Sequence, residues 1–148
     1  KDVKFHNGDV LTAEDVVFSL NRAAESQFTQ EITSALDHAE VINDSTVLAK
    51  FKYFYGPTEA VISRISIVNK KAVEADPEGF GRKPIGTGAY KFVELKSGDK
   101  IVCERFEDHY RGAAPIKNLV LRIMIDATTS ALALEKGEVD LLQMIDKD

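Results

Sequence analysis

Lys83-Pro84-Ile85-Gly86-Thr87-Gly88-Ala89-Tyr90-Lys91-Phe92 is the stretch on which the reading of this chain turns. Its two glycines invite comparison with phosphate-binding loops, and the spacing rejects it. A dinucleotide fingerprint needs a third glycine three residues after the second, where Lys91 stands, and it must open a helix. A Walker loop needs Gly-Lys-Ser/Thr, which is absent here. Ala89–Leu95 instead alternates with the period of a strand. The loop therefore reads as a tight lead-in to a strand, with its glycines expected at positive φ.

Working outward, Tyr90–Leu95 and Lys100–Phe106 read as a hairpin across Ser97-Gly98-Asp99, and Leu119–Ile125 as a third strand. Asp126 is placed to cap a helix through Lys136, Gly137 to end it in the left-handed region, and Val139–Met144 to form a last strand. Upstream, Glu78–Pro84 is the best internal boundary. Val3–His6 reads as a short strand closed by the Asn7-Gly8 turn. Thr12 and Asp15 form a capping box before a helix over Ala13–Glu25, whose Val16, Val17, Leu20, Ala23 and Ala24 share a face. Phe28–Leu36 fits a loop or a short helix. Ala39–Ile42 and Val47–Tyr53 pair across Asn43-Asp44-Ser45, with Val47, Ala49, Phe51 and Tyr53 on one face. Pro57 opens a short helix through Ser63, Ile65–Val68 reads as a buried strand, and Asn69–Ala75 as a helix ending before Asp76-Pro77. The alternation of helices and strands is that of an α/β protein.

The chain of 148 residues is long enough for one domain with a real core. A net charge of −5 and a pI near 5.3 argue against a nucleic-acid groove, which needs a basic stripe. No apolar run reaches the length of a membrane span. Cys103 is the single cysteine, so no intrachain disulfide forms. The chain starts without Met and without a signal peptide, and it stops beside an expected strand, as an excised piece of a longer protein would.

Catalytic and metal chemistry find little support. His6, His38 and His109 lie far apart and at no ligand spacing, so no metal site is expected. There is no nucleophile elbow, and Cys103 lies in a strand pattern as a small apolar residue would. No acid/base pair stands out among the plentiful carboxylates. Tyr53, Phe54 and Tyr55 fit core packing better than a cleft wall, and Tyr110 fits a packing anchor. Arg64 is either a snorkelling surface side chain or a planar fork for a carboxylate.

The Gly86 loop keeps informative company. Before it come Val3-Lys4-Phe5-His6-Asn7-Gly8-Asp9 and Leu11-Thr12-Ala13-Glu14-Asp15-Val16-Val17-Phe18-Ser19-Leu20-Asn21-Arg22. After it come Asp108-His109-Tyr110-Arg111-Gly112 and Leu134-Glu135-Lys136-Gly137-Glu138-Val139-Asp140. In this order they resemble the extracytoplasmic solute-binding proteins of ABC importers, peptide/nickel/opine class (family 5). Ala89 departs from the proline of the family's Gly-Thr-Gly-Pro-Tyr form, and Arg111 from the tryptophan that commonly follows Tyr110.

The resemblance implies a fragment of the first lobe (lobe I) of a two-lobed periplasmic-binding-protein fold, with a mixed sheet and flanking helices. Residues 1–83 match a small peripheral subdomain and 84–148 part of the central sheet region, with the second lobe and an N-terminal segment absent. It implies capture of a peptide or related small polar solute for a membrane permease, without enzymatic activity or cofactor. It carries Gln27, Phe28, Arg64 and Ser66 towards the ligand cleft. It implies a periplasmic or lipid-anchored cell-surface location, with membrane association only through the parent's anchor or permease. Open strand edges would let the fragment dimerise. A hydrolase or transferase domain is the alternative, and a structural interaction module a weaker one. The presence of a positioned nucleophile and base separates the enzyme from the binding lobe.

Overall fold

The computed structural model describes residues 2–142. The N-terminal arm is held by one antiparallel bridge, Lys4 to Val10, and by Phe5 N–H donating to Asp9 O at 2.8 Å. Gly8 takes φ +91° at its turn. The arm is thus too short for the strand expected at Val3–His6, although Phe5 is fully buried.

Helix α1 spans Ala13–Glu25, the range its apolar spacing predicts. The capping box is complete: Thr12 Oγ1 accepts from Asp15 N–H at 3.3 Å, and Asp15 Oδ2 accepts from Thr12 N–H at 3.0 Å. A short helix α2, Gln30–Thr33, follows, resolving the ambiguity of that stretch. Strands β1, Leu36–Asn43, and β2, Thr46–Phe51, form an antiparallel pair. Leu20, Leu36 and Ala39 make the core, with Val16, Val17, Val47, Ala49, Phe51 and Ile65 packed around them. Asn21 clamps α1 to β1, donating to Ala39 O at 3.1 Å and accepting from Ala39 N–H at 2.6 Å.

Helix α3 covers Thr58–Arg64, with Pro57 as its N-cap residue. The next stretch departs from expectation: 65–68 pairs with no strand among the described residues. Its backbone bonds instead to side chains of α1. Val68 N–H donates to Ser19 Oγ at 2.9 Å, and Lys70 N–H donates to the buried Asp15 Oδ1 at 2.9 Å. Helix α4, Lys70–Ala75, is capped by Asn69, whose Oδ1 accepts from Ala72 N–H at 2.8 Å. Asn69 is buried, donates from Nδ2 to Asp9 Oδ2 at 3.1 Å, and donates from its backbone to Ile85 O at 3.3 Å. One asparagine thereby ties the N-terminal arm, α4 and the Gly86 loop together.

A 3-10 turn at Phe80–Arg82 leads to the Gly86 loop. Neither Gly86 nor Gly88 adopts the expected positive φ. The loop bends at 87–89, and its backbone is hydrogen-bonded to His6 and Asn69. A Cβ at Gly86 would meet Ile67 O at 3.8 Å and His6 Cε1 at 3.9 Å, ordinary contacts, so no steric demand for glycine is evident there.

Strands β3, Tyr90–Lys96, β4, Lys100–Arg105, and β5, Asn118–Arg122, form an antiparallel sheet in that order. Gly98, at φ +73°, makes the β3–β4 turn. The expected third strand stops at Arg122, where Ile123 N–H turns to Asp99 O at 2.7 Å. Helix α5, Ala127–Glu135, is capped by Asp126 accepting from Thr129 N–H at 2.7 Å. It ends in a Schellman motif: Gly137 at φ +71°, with Glu138 N–H on Ala133 O and Gly137 N–H on Leu134 O. Residues 139–142 are not in a strand, and the rest of the strand expected at Val139–Met144 lies outside the described residues. Helices and sheets are mixed as an α/β reading requires, and both sheets are antiparallel among the described residues.

Candidate functional site

The residues expected at a ligand cleft sit on two neighbouring stretches. Gln27 and Phe28 occupy the α1–α2 connection, while Arg64 ends α3 and Ser66 follows it. Helices α2 and α3 pack side by side, so these stretches flank the same helix pair. No hydrogen bond joins the first pair of residues to the second among the described residues.

Local chemistry explains why Phe28 projects. Thr29 Oγ1 donates to Ala23 O at 2.6 Å, and Thr29 N–H donates to Ser26 O at 3.2 Å. The chain is pulled tight against the end of α1, and the intervening Phe28 is left at 101% relative exposure. Phe54, in the β2–α3 connection, is 99% exposed. Tyr53 and Tyr55 meet edge to face at 6.2 Å, and Tyr53 is exposed. The packing expected of this aromatic run is therefore corrected. Strand β2 ends at Phe51, and Lys52 N–H makes the last backbone bond, to Ala35 O at 3.0 Å. Beyond it the period-two alternation no longer aims Tyr53 at the core. Arg64 and Ser66 are exposed, and Arg64 forms no ion pair among the described residues. Its guanidinium is thus available to an incoming carboxylate.

Tyr110 is also more exposed than an anchor should be. It is 53% exposed, with His109 at 4.5 Å and the Arg111 guanidinium 5.4 Å from its ring, so it packs on its sequence neighbours. Arg111 stacks there as a flat cation over an aromatic face.

Two concavities lie elsewhere. Cavities of about 430 and 480 Å³ run along α1 and share Glu14, Val41 and Lys70. Sequence reasoning did not find them, because they need α4 and β1 brought beside α1. Lys70 Nζ and Glu14 Oε2 are already paired at 3.2 Å, which raises the lysine pKa.

Two other groups could suggest chemistry. His38 lies between Glu40, at 2.9 Å, and Asp37, at 2.8 Å, and these hydrogen bonds raise its pKa. Lys50 completes the group at 2.6 Å from Glu40 and, with His38, lowers that carboxyl. The cluster is exposed on the β1–β2 ribbon and reads as a solvated ion-pair group. Burial pushes the Cys103 thiol up, away from the reactive thiolate. Among the described residues no three His, Cys, Asp or Glu side chains gather as a metal site. No helix among them is long and apolar enough to cross a membrane.

The profile of the bacterial extracellular solute-binding proteins, family 5 (middle region), matches residues 1–148. The chain belongs to this family. Members of family 5 are solute-binding proteins rather than a family of enzymes. The oligopeptide-binding protein AppA of Bacillus subtilis is 30% identical over 97% of this chain and 28% of its own length. The structure of AppA with a nonapeptide superposes with a TM-score of 0.78, over 93% of this chain and 29% of AppA. NikZ from Campylobacter jejuni, in complex with Ni(L-His), is 26% identical at a TM-score of 0.80, again over 93% and 29%. MoaA from A. tumefaciens R10, with mannopinic acid, is 28% identical at a TM-score of 0.83, over 94% and 29%. The chain thus spans less than a third of the length of these family-5 relatives, which share its fold across nearly all of it.

Proposed function

We propose that this chain is part of the first lobe of the substrate-binding component of an ABC importer, with a peptide or related small polar solute as ligand. The observation that carries the reading is the family-5 match along the whole chain. The peptide assignment draws on AppA, a relative held in complex with a nonapeptide. In this reading residues 1–83 form the small peripheral subdomain and 84–148 belong to the central sheet region.

Gln27, Phe28, Arg64 and Ser66 border the cleft. Exposed Phe28 offers an apolar face to a ligand side chain, and Arg64 offers a fork to a carboxylate. Capture changes no bond: ligand binding favours the closed arrangement of two lobes, which a membrane permease then recognises. The parent works outside the cytoplasmic membrane, in a periplasm or anchored by lipid at the cell surface. No observation favours the hydrolase or transferase reading.

Half a cleft buries too little of a ligand for tight binding. Thermal-shift titration of the parent protein and of this chain, with short peptides, nickel chelates and oligosaccharides, tests the proposal. The parent alone is expected to be stabilised, and by peptides. A dissociation constant below about 1 μM for a peptide with this chain alone would overturn the half-cleft reading, and no response of the parent to any peptide would overturn the ligand class.

A further inference from the structure

His6 sits at the tip of the N-terminal arm with both ring nitrogens committed to the Gly86 loop. Gly86 N–H donates to Nδ1 at 3.3 Å, and Nε2 lies 2.9 Å from Gly88 O. The backbone repeats the attachment, with His6 N–H donating to Gly86 O at 2.9 Å. A backbone N–H can only donate and a carbonyl can only accept. Only the neutral tautomer with its proton on Nε2 satisfies both. Phe106 closes the ring from the side, edge to face at 5.2 Å between centroids.

We propose that His6 is an acid-sensitive clasp, holding the Gly86–Gly88 loop to the N-terminal arm while the imidazole is neutral and releasing the Gly86 N–H when the ring is protonated. A proton on Nδ1 would set two donors, Nδ1–H and Gly86 N–H, against each other. The loop leads directly into β3, so the clasp is one of the links, with Asn69 N–H on Ile85 O and the Lys4–Asp108 pair, between the first 83 residues and the segment that carries the β3–β5 sheet.

The surroundings work in the same direction. Burial holds the His6 pKa below its ordinary 6.5, against the opposing pull of Gly88 O. Lys91 of β3 and His109 also disfavour a second positive charge, although Lys91 is partly neutralised by Glu104 at 3.0 Å. The Lys4–Asp108 ion pair at 3.0 Å joins the same two segments. Across the Asn7-Gly8 turn, the Asp9 carboxylate is engaged by Asn7 and Asn69. Because the folded pKa is lowered, the clasp's contribution is fully present above pH 6.5 and is lost as pH falls through the lowered value.

The test uses the parent protein labelled with ¹⁵N-histidine. Long-range ¹H–¹⁵N spectra read the His6 tautomer and its titration from about pH 8 to about pH 5, the span in which imidazoles change charge. Hydrogen exchange of the 84–89 segment, normalised for the intrinsic pH dependence, is followed alongside. The expected result is a proton on Nε2, a midpoint below 6.5, and loss of protection at Gly86 in step with the His6 titration. In His6→Gln, which cannot titrate, normalised exchange of the loop should not change with pH. A proton on Nδ1, a midpoint at or above the ordinary value, or protection indifferent to the titration would overturn the clasp. The wild-type spectra decide the matter even if the variant fails to fold.

Discussion

Residues 2–83 and residues 84–142 differ in how much of their apolar side chains they bury, although Phe28 and Phe54 of the first region are also exposed. In the first region Phe5, Leu20, Leu36, Val61, Val73 and Phe80 are buried, and α1, β1 and β2 enclose one core. In the second, Phe106 and Ala133 are the buried apolar residues among those described, while Val93, Leu95, Val120, Leu121, Ile123 and Leu132 are exposed. In helix α5 Leu132 and Leu134 are exposed as well, and only Ala133 is buried. The first region therefore carries its own interior, whereas the second carries the residues of an interior without its other wall. That contrast agrees with a chain spanning under a third of its relatives' length.

The largest test of this contrast is Leu20→Ala. Leu20 is 3% exposed at the centre of the core, and truncating it should cost about 2–5 kcal/mol in chemical denaturation. A cost below about 1 kcal/mol would mean that the first region is loosely packed.

Asn69→Ala comes next. It removes the cap of α4 and leaves Asp9 without its Asn69 partner, so a loss of about 1–3 kcal/mol is expected. The Asn69 backbone bond to Ile85 is retained in this variant, so the loop should stay attached through His6. Faster exchange confined to α4 supports that division, while exchange spreading through β3 contradicts it.

Val120→Ser should give the smallest effect, within about 0.5 kcal/mol in this chain alone, because Val120 is already in water. In the parent protein the same change should cost about 1–3 kcal/mol if further polypeptide covers the β3–β5 sheet. Equal effects in both would remove the contrast.

Much of the fold was legible because it is set locally. Helix α1 has the bounds its apolar spacing gives, and Thr12, Asp15, Asp126 and Gly137 do at the helix ends what their chemistry dictates. The β3–β4 hairpin follows from Gly98 and from alternation. The errors fall where distant residues decide. Residues 65–68 look like a strand, but Ser19 and Asp15 supply bonding partners for that segment and for Lys70. Gly86 and Gly88 look like positive-φ residues, but neither is one in a loop whose backbone is bonded to His6, some 80 positions away. The cleft candidates Gln27, Phe28, Arg64 and Ser66 came from family resemblance, since nothing in their spacing marks a site. Tyr53 and Phe54 were misjudged because composition does not say where a strand stops.

By itself the sequence determined the caps of α1 and α5 and the turns at Gly98 and Gly137, since each depends on residues within a few positions of one another, and the α/β alternation and the order of motifs that marks family 5, which are read along the chain. Only the tertiary structure decided which polar groups knit α1, α4 and the Gly86 loop together, which aromatic rings stay in water, and which tautomer His6 must hold. Those outcomes depend on where distant backbone donors and acceptors meet, and a buried hydrogen-bonding group takes whatever partner the fold brings to it.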